Sequence, residues 1–206
     1  MLNQVIQYKR IIMALLMLIL SACQTVPKDD LEVFNHNDFE KHYQQRLNES
    51  TWSLKGVFSF SNEDEDVQGK VFWDQASDNA KIKLLGPLGA GSVKLSLRPG
   101  VASMQQGKKT FTAPSADELM LQVLGWKMPL DSINYWLYGL AAPEQGARYR
   151  LGEKGEVIEL KQSGWLIRFK QYRQVEGFSM LMPRKIFASH VKTKTDVRLV
   201  VTKMSR

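Results

Sequence analysis

The sequence predicts a mainly β protein with a helical insertion (α+β), built on one antiparallel sheet of about ten strands. Two observations predict this class. Short runs that alternate apolar and polar residues recur on both sides of the middle of the chain, separated by Gly, Pro, Asn and Asp. Between about residues 115 and 139 the apolar spacing becomes helical. The 206 residues suit an N-terminal leader followed by a single folded domain, which we place at residues 36–206.

The N-terminus has the pattern of an export signal. Lys9 and Arg10 precede an uninterrupted apolar run, Ile11–Leu20, which two small residues follow. A positive flank, a short apolar core and small residues before the cut are typical of a secretory signal peptide. The run has ten residues, half of the ~20 that a membrane-spanning helix needs. We therefore expect residues 1–22 to be removed.

Cys23 is the only cysteine in the sequence, so it cannot form an internal disulfide or a multi-cysteine metal site. The tetrad "LSAC" at 20–23 resembles the lipobox of bacterial lipoproteins, in which the cysteine receives a diacylglyceryl group and an acylated amino terminus. The alternative is an ordinary signal peptide with a cysteine there by chance. Gln24, in place of an aspartate that favours inner-membrane retention, implies the outer membrane, facing the periplasm. Residues 23–35 would be the lipid anchor and a flexible tether.

The charge is modestly positive. The chain has 28 Lys and Arg against 21 Asp and Glu, and removal of residues 1–22 would take away two cations and no acid, so the net charge would fall from +7 to +5 (26 − 21). Such an excess fits contact with acidic lipid head groups or an acidic partner protein. No basic stripe is interleaved with aromatic residues, so nucleic acid is not an expected partner.

The first elements after the tether are a helix and a series of strands. From about Asn37 the spacing is helical, because Phe39, Tyr43 and Leu47 recur every four residues on what we expect to be one apolar face. An acidic turn, "SNEDED", follows the first strand. Alternation with a period of two predicts strands in these segments: 52–60, 67–73, 80–85, 92–98, 147–151, 156–161, 165–173, 184–191 and 197–203.

The middle of the chain predicts a helical pair. Ser115, with Glu118 three residues later, forms a capping box that opens the first helix, and Gly125 can end it. Pro129 suits the start of the second helix, which ends at Gly139. This pair interrupts the strands once.

Residues that could carry catalysis are few. His36, His42 and His190 fit no metal-ligand spacing, and we expect them at the surface without partners. The sequence has no HExxH, no G-x-S-x-G, and no Gly-Lys-Ser/Thr after the glycines of 86–91. The acidic run 63–66 lacks the spacing of a calcium loop. We predict no enzyme and no cofactor beyond the covalent acyl and diacylglyceryl lipid; a periplasmic hydrolase is the least favoured interpretation.

Large aromatic residues indicate a possible ligand cavity. Four of them share the apolar faces of the first two strands, and two tryptophans lie in or beside the helical insertion. The candidates are Trp52, Phe58, Phe60, Trp73, Trp126 and Trp136. Core packing accounts for any one of them. As a group they favour a cavity, because a curved sheet with one apolar face and a helical cover can enclose a ligand.

Several motifs, in the same order along nearly the whole mature chain, resemble the LolB family of outer-membrane lipoprotein receptors. They are the lipobox, W-x-x-x-G-x-F-x-F from Trp52, "FW" at 72–73, "LLGPLGAG" at 84–91 and "MPLDSINYWLYGL" at 128–140. The resemblance implies an open antiparallel half-barrel of about ten or eleven strands covered by helices.

The same resemblance implies the function. The protein would accept triacylated lipoproteins from a soluble periplasmic carrier of the LolA type and insert them into the outer membrane without nucleotide hydrolysis. Its partners would be that carrier, the acylated cargo and outer-membrane phospholipid, and it would act as a monomer. The competing interpretation is a structural lipoprotein subunit of an envelope assembly machine, with a packed interior and sheet edges that bind partners.

Leu88 is the residue for which the bare sequence and the resemblance differ. Within 86–89, "GPLG", it occupies a turn position that usually carries a small or polar residue. The side chain could fold back onto the sheet, where burial would contribute about 1.5–3 kcal/mol to stability. The resemblance implies instead an apolar membrane insertion tip that also guides acyl chains.

Overall fold

A computed structural model describes the following residues: 31–33, 36–87, 91–125, 129–143 and 146–206, without the side chains of His36 and Leu124. Leu31–Arg206 forms one compact unit, which therefore begins inside the segment interpreted as the tether. The described part contains no helix long and apolar enough to cross a membrane. Three predicted site residues lie outside the described ranges: Cys23, Leu88 and Trp126.

Twelve strands of the described chain form one sheet. Their bounds are β1 Glu32–Val33, β2 Thr51–Ser61, β3 Asp66–Ala76, β4 Asn79–Leu85, β5 Ser92–Arg98, β6 Val101–Gln106, β7 Lys109–Ala113, β8 Ala147–Leu151, β9 Val157–Gln162, β10 Trp165–Gln174, β11 Leu181–His190 and β12 Thr195–Ser205. The order across the sheet is β1-β8-β9-β10-β11-β12-β2-β3-β4-β5-β6-β7, and neighbours are antiparallel. The predicted class, a mainly β protein with an open antiparallel sheet and few helices, is confirmed.

The sheet has more strands than the alternation pattern indicated, because three short strands carry little apolar signal. β6 and β7 together place only a few apolar side chains toward the core, among them Ala102, Met104 and Phe111. β1 has two residues and is held by pairing with β8, a long-range partner that local periodicity cannot reveal.

One face of the sheet, the inner face, carries the core. Along β2, Trp52 and Leu54 are buried while Ser53 and Lys55 between them are exposed, as a period of two requires. The opposite face, the outer face, is largely polar. The end of the sheet with the turns 62–65 and 86–91 is called the loop end, and the end with the turns 77–78 and 99–100 is called the helix end.

Three helices complete the unit: α1 Glu40–Asn48, α2 Ala116–Leu124 and α3 Leu130–Trp136. The predicted capping box is confirmed, since the Ser115 hydroxyl accepts a hydrogen bond from the Glu118 amide at 3.2 Å. Gly125 ends α2 with a left-handed φ of 75°, a conformation that glycine adopts without strain. Leu119 and Met120 of α2 enter the core, as do Leu130, Ile133 and Trp136 of α3.

The first helix departs from the predicted apolar face. Phe39 is buried and Tyr43 is half-buried, but Leu47 is 56% exposed. A spacing of four residues advances about 400° around a helix, so each repeat drifts by about 40°. Phe39 precedes α1 as the last residue of a short 3-10 helix, His36–Phe39, so only Tyr43 and Leu47 share the α-helix. Leu47 has left the buried face, and Arg46, which lies over the Tyr135 ring at 3.8 Å, takes the contact instead.

Candidate functional site

Among the predicted aromatic residues that the structure describes, those on β2 and β3 lie on the inner face and Trp136 lies on α3; all but Phe58 are buried. Trp52, Phe60, Trp73 and Trp136 are at most 5% exposed, whereas Phe58 is only partly buried. Trp52 and Trp73 contact each other with ring centroids 5.7 Å apart. These four buried side chains, three from the sheet and Trp136 from α3, are called the packed floor.

Trp136 reaches the other half of the sheet through a partner that the sequence did not indicate. Its ring centroid lies 6.0 Å from that of Trp165, the first residue of β10. Trp165 begins a run of apolar residues on alternate positions, a signal that could have placed it with the other aromatic candidates. The core thus joins both halves of the sheet under α3.

Two buried glutamine side chains form hydrogen bonds with polar atoms in and beside the packed floor. The Trp73 indole donates to Gln75 Oε1 at 2.8 Å. The side chain of Gln162, 2% exposed, accepts from the amide of Ala142 at 3.0 Å and donates to the carbonyl of the same residue at 2.8 Å. It also accepts from the Trp136 indole at 3.4 Å. The segment that follows α3 is therefore fastened to β9 by side-chain hydrogen bonds as well as by packing.

At the loop end the inner face stays apolar but is less covered. We call this surface the apolar rim; its residues are Phe58, Val67, Leu84, Val93 and Val197. Register places its members in neighbouring groups: Leu84 lies directly across from Val93, and Val67 and Val197 lie on either side of Phe60. Val67 is 42% exposed. An alkyl chain laid on this surface would be in contact with the core below.

The loop between β4 and β5 borders the apolar rim. Gly86 donates to the carbonyl of Gly91 at 3.3 Å and so closes the base of the segment that contains Leu88. Leu84 is two residues before this closure and Val93 two residues after it. The position of the Leu88 side chain lies outside the described residues, so its predicted role stays a prediction.

The helix end is polar and closely hydrogen-bonded. The Tyr138 hydroxyl donates to the carbonyl of Glu49 at 2.9 Å, and the Glu49 carboxylate, which is buried, accepts from the amide of Ser179 at 2.8 Å. Tyr43 donates to the carbonyl of Ala141. Burial raises the pKa of Tyr43 and of Tyr138 above the ordinary value, so both phenols stay neutral donors. This end is a fixed lid rather than an opening.

Two histidine side chains are described, and neither is the unpartnered surface group that was expected: His190 is at the surface but has hydrogen-bond partners, and His42 is half-buried. His190 accepts from the Thr193 amide at 3.2 Å and stabilises the turn after β11. His42 is half-buried on α1, and burial, together with the neighbouring Lys41 charge, lowers the pKa of its imidazole. Among the residues that the structure describes, no group of three His, Cys, Asp or Glu side chains could hold a metal ion.

Two solved structures have a fold similar to that of this chain. A LolA superfamily protein from Nitrosomonas europaea superposes with a TM-score of 0.53 at 8% identity, covering 82% of this chain and 92% of its own. A domain from Vibrio parahaemolyticus, described as that of an outer membrane lipoprotein-sorting protein, superposes with a TM-score of 0.55 at 8% identity over 82% and 90%. The chain therefore shares the fold of these two proteins.

The sequence comparisons narrow the class to one family. The sequence model described as "Outer membrane lipoprotein LolB" matches residues 50–203. The protein named Outer-membrane lipoprotein LolB from Nitrosococcus oceani is 37% identical over 152 residues, 73% of this chain and 74% of its own. The protein of that name from Coxiella burnetii is 32% identical over 184 residues, 87% and 86% of the two chains. The chain belongs to the LolB family, as its motifs indicated.

Proposed function

We propose that this protein accepts triacylated lipoproteins from a LolA-like periplasmic carrier and inserts them into the outer membrane. The lipid on Cys23 would anchor it there, facing the periplasm. The observation that supports the proposal is the apolar rim, a partly exposed apolar surface beside the core. Membership in a family of outer-membrane lipoproteins supports the destination.

The chemistry of the cargo explains why such a surface is needed. Each CH₂ group transferred from water to an apolar environment contributes about 0.8 kcal/mol, so exposing three acyl chains would cost on the order of 30 kcal/mol. The chains must therefore pass from one apolar surface to another. A receptor that binds them on the apolar rim, over a floor of packed tryptophans, would shield them without any covalent step.

No catalysis is required if each acceptor holds the chains more favourably than the one before. The carrier delivers to the receptor, and the bilayer takes the chains last because it buries them completely. We therefore propose a monomeric, non-enzymatic receptor. In this scheme Leu88, beside the apolar rim, is the tip that enters the membrane and Phe58 marks the path of the chains.

A transfer experiment tests this function directly. The chain without residues 1–22 and with Cys23→Ala is mixed with a purified carrier loaded with a triacylated lipoprotein, and the two proteins are then separated. We expect the cargo to move to this protein without ATP. If the cargo stays on a carrier that delivers to a known receptor, while this protein is folded, the function is instead that of a structural lipoprotein in an envelope assembly.

A further inference from the structure

The outer face of the sheet has a strong excess of positive charge. On the six adjacent strands β11, β12, β2, β3, β4 and β5, the outward positions hold nine Lys and Arg residues against three Asp residues. One cation on each strand illustrates the breadth: Lys185, Arg198, Lys55, Lys70, Lys83 and Lys94. At about 4.8 Å between strands they extend over ~24 Å, far more than one small anion needs.

Four of these cations oppose one another in pairs, whereas Lys81 lies across from Asp74. Lys83 lies directly across from Lys94, and Lys55 directly across from Lys203. Like charges at directly opposed positions destabilise a sheet. Within the described residues, Lys70, Lys83 and Lys94 form no ion pair that would offset this repulsion. An anionic partner on this face would remove that repulsion.

Apolar side chains are set among the cations. Phe72 lies across from Lys55 on one side and from Lys83 on the other. Val57, 44% exposed, lies directly across from Lys70. Lysine mixed with exposed apolar residues is the composition of protein surfaces that lie at a membrane interface, where the ammonium groups meet phosphates and the apolar groups enter between them.

The charged surface extends to the loop that the proposed function places at the membrane. A groove of about 980 Å³ on this side is lined by Lys70, Leu85, Gly86, Pro87 and Arg198, among others. Lys70 lies directly across from Leu85, the last residue of β4 before that loop. The basic outer face and the membrane-inserting loop therefore share a border.

We infer that the outer face, through Lys70, Lys83 and Lys94, binds the surface of a bilayer that contains anionic phospholipid. The choice of a bilayer rests on the proposed function, which brings this protein to a membrane. An acidic protein is the less favourable partner because seven of the nine cations are flexible lysine point charges. The two arginines, Arg98 and Arg198, lie on different strands and form no cluster of guanidinium forks that would recognise individual carboxylates. Contact through this face leaves the apolar rim on the opposite face free for cargo.

A pair of charge-reversal variants tests the inference. Leu31–Arg206 is a compact unit with its own continuous core, so the lipid-free chain that begins at Gln24 can be studied in solution. Binding to vesicles of phosphatidylcholine with phosphatidylglycerol is measured by co-sedimentation at low salt. With roughly fivefold in affinity for each lysine near an anionic surface, Lys83→Glu with Lys94→Glu should weaken binding by about 25-fold or more.

The matched control reverses two exposed lysines outside the six strands of the basic outer face, Lys41→Glu on α1 with Lys154→Glu between β8 and β9, and so changes the net charge equally. It should retain nearly all of the vesicle binding. An equal loss in both variants would overturn the inference, because net charge alone would then explain binding. Equal binding of the wild type to pure phosphatidylcholine vesicles would overturn it too. If Lys83→Glu with Lys94→Glu loses carrier binding while its vesicle binding is unchanged, the inference is also overturned and the face binds an acidic protein.

Two further measurements separate this inference from the proposed function. Thermal unfolding confirms that both variants are folded, and cargo transfer from the carrier should proceed in the Lys83→Glu, Lys94→Glu variant. In the full-length protein reconstituted in vesicles, acetylation of Lys70, Lys83 and Lys94 should slow several-fold when anionic lipid replaces neutral lipid; unchanged rates would contradict the inference. If cargo transfer fails in the wild type while anionic lipid protects these lysines from acetylation, the proposed function is wrong, but the inference that this face binds the membrane is supported.

Discussion

Gly69 lies directly across the β2–β3 ladder from Phe58, at a position where the neighbouring atoms leave no room for a side chain. A Cβ atom at position 69 would lie 3.1 Å from the Phe58 ring and 2.0 Å from the carbonyl oxygen of Leu85. The absence of a side chain at Gly69 therefore allows two contacts: β4 approaches closely through Leu85, and the Phe58 ring packs over the glycine.

Gly69→Ala should destabilise the fold, because the backbone carbonyl of Leu85 cannot move aside as a flexible side chain would. We expect a loss of about 1–3 kcal/mol in the free energy of unfolding, measured by urea titration. Gly146→Ala is the matched control, since a Cβ there would meet nothing within 4 Å. Equal effects of the two substitutions would contradict the steric explanation.

Gln162→Leu should be among the most destabilising single substitutions at a polar residue. It removes the acceptor of Trp136 and Ala142 and the donor to the Ala142 carbonyl, all buried. With each orphaned group costing about 1–3 kcal/mol, we expect a loss of at least ~3 kcal/mol. Urea unfolding measures it, with Gln105→Leu on the exposed outer face as the control. A loss no greater than that of the control would show that the Gln162 hydrogen bonds contribute little.

Leu84→Ser tests the apolar rim. The side chain is half-buried, so the substitution should leave the protein folded while it removes an apolar contact for the acyl chains. A loss of about 1 kcal/mol in cargo binding corresponds to roughly fivefold weaker acceptance from the carrier. Val101→Ser, 41% exposed on the outward side of β6, should have no such effect. Unchanged acceptance by the Leu84 variant would exclude this part of the rim from the path.

Leu88→Glu separates acceptance from delivery. A carboxylate at the proposed membrane tip should be strongly disfavoured in the apolar part of a bilayer, so transfer from the receptor to vesicles should fall while acceptance from the carrier continues. Leu121→Glu, on an exposed position of α2, is the control. Equal loss of both steps, or loss of folding, would contradict a role as a tip.

His42 should make stability depend on pH. Burial first, and then the charge of Lys41, lower its pKa below the ordinary value of 6.5. The unfolded chain thus binds the proton more tightly than the folded protein, so stability is complete above the unfolded pKa and falls as the pH drops through it. His42→Gln should lose less stability than the wild type between about pH 7.5 and 5.5. Lys41→Gln should give an intermediate result, and parallel pH profiles for all three proteins would contradict the assignment.

Local sequence signals predicted helix ends and strand faces well where the structural requirement involves only a few neighbouring residues. Ser115 and Gly125 fixed both ends of α2, because a hydroxyl cap and a left-handed residue are local requirements. Alternation likewise assigned Trp52, Phe60 and Trp73 to one face. Those signals act over a few residues and need no knowledge of the rest of the fold.

Features that depend on distant partners could not be predicted in the same way. Gln162 gave no local sign that it would fasten Ala142 and Trp136, more than 19 residues away. The repulsion between Lys83 and Lys94 depends on register, and alternation alone does not distinguish the partly buried Phe58 from the buried Phe60 on the same face. The sequence therefore located the apolar face, but only the structure divides it into a packed floor and a partly open rim.

The pairing of β12 with β2 has a consequence for how the protein reaches its compartment. Phe58 meets Leu199 across this ladder, a separation of 141 residues (199 − 58), so the middle of the sheet forms only after nearly the whole chain is present. Contacts between residues so far apart in the chain form slowly. A chain threaded through an export channel from its N-terminus would thus remain without its central pairing until its final strand arrives. If the chain is exported as proposed, this connectivity would help to keep the polypeptide translocation-competent and would let the core close after crossing.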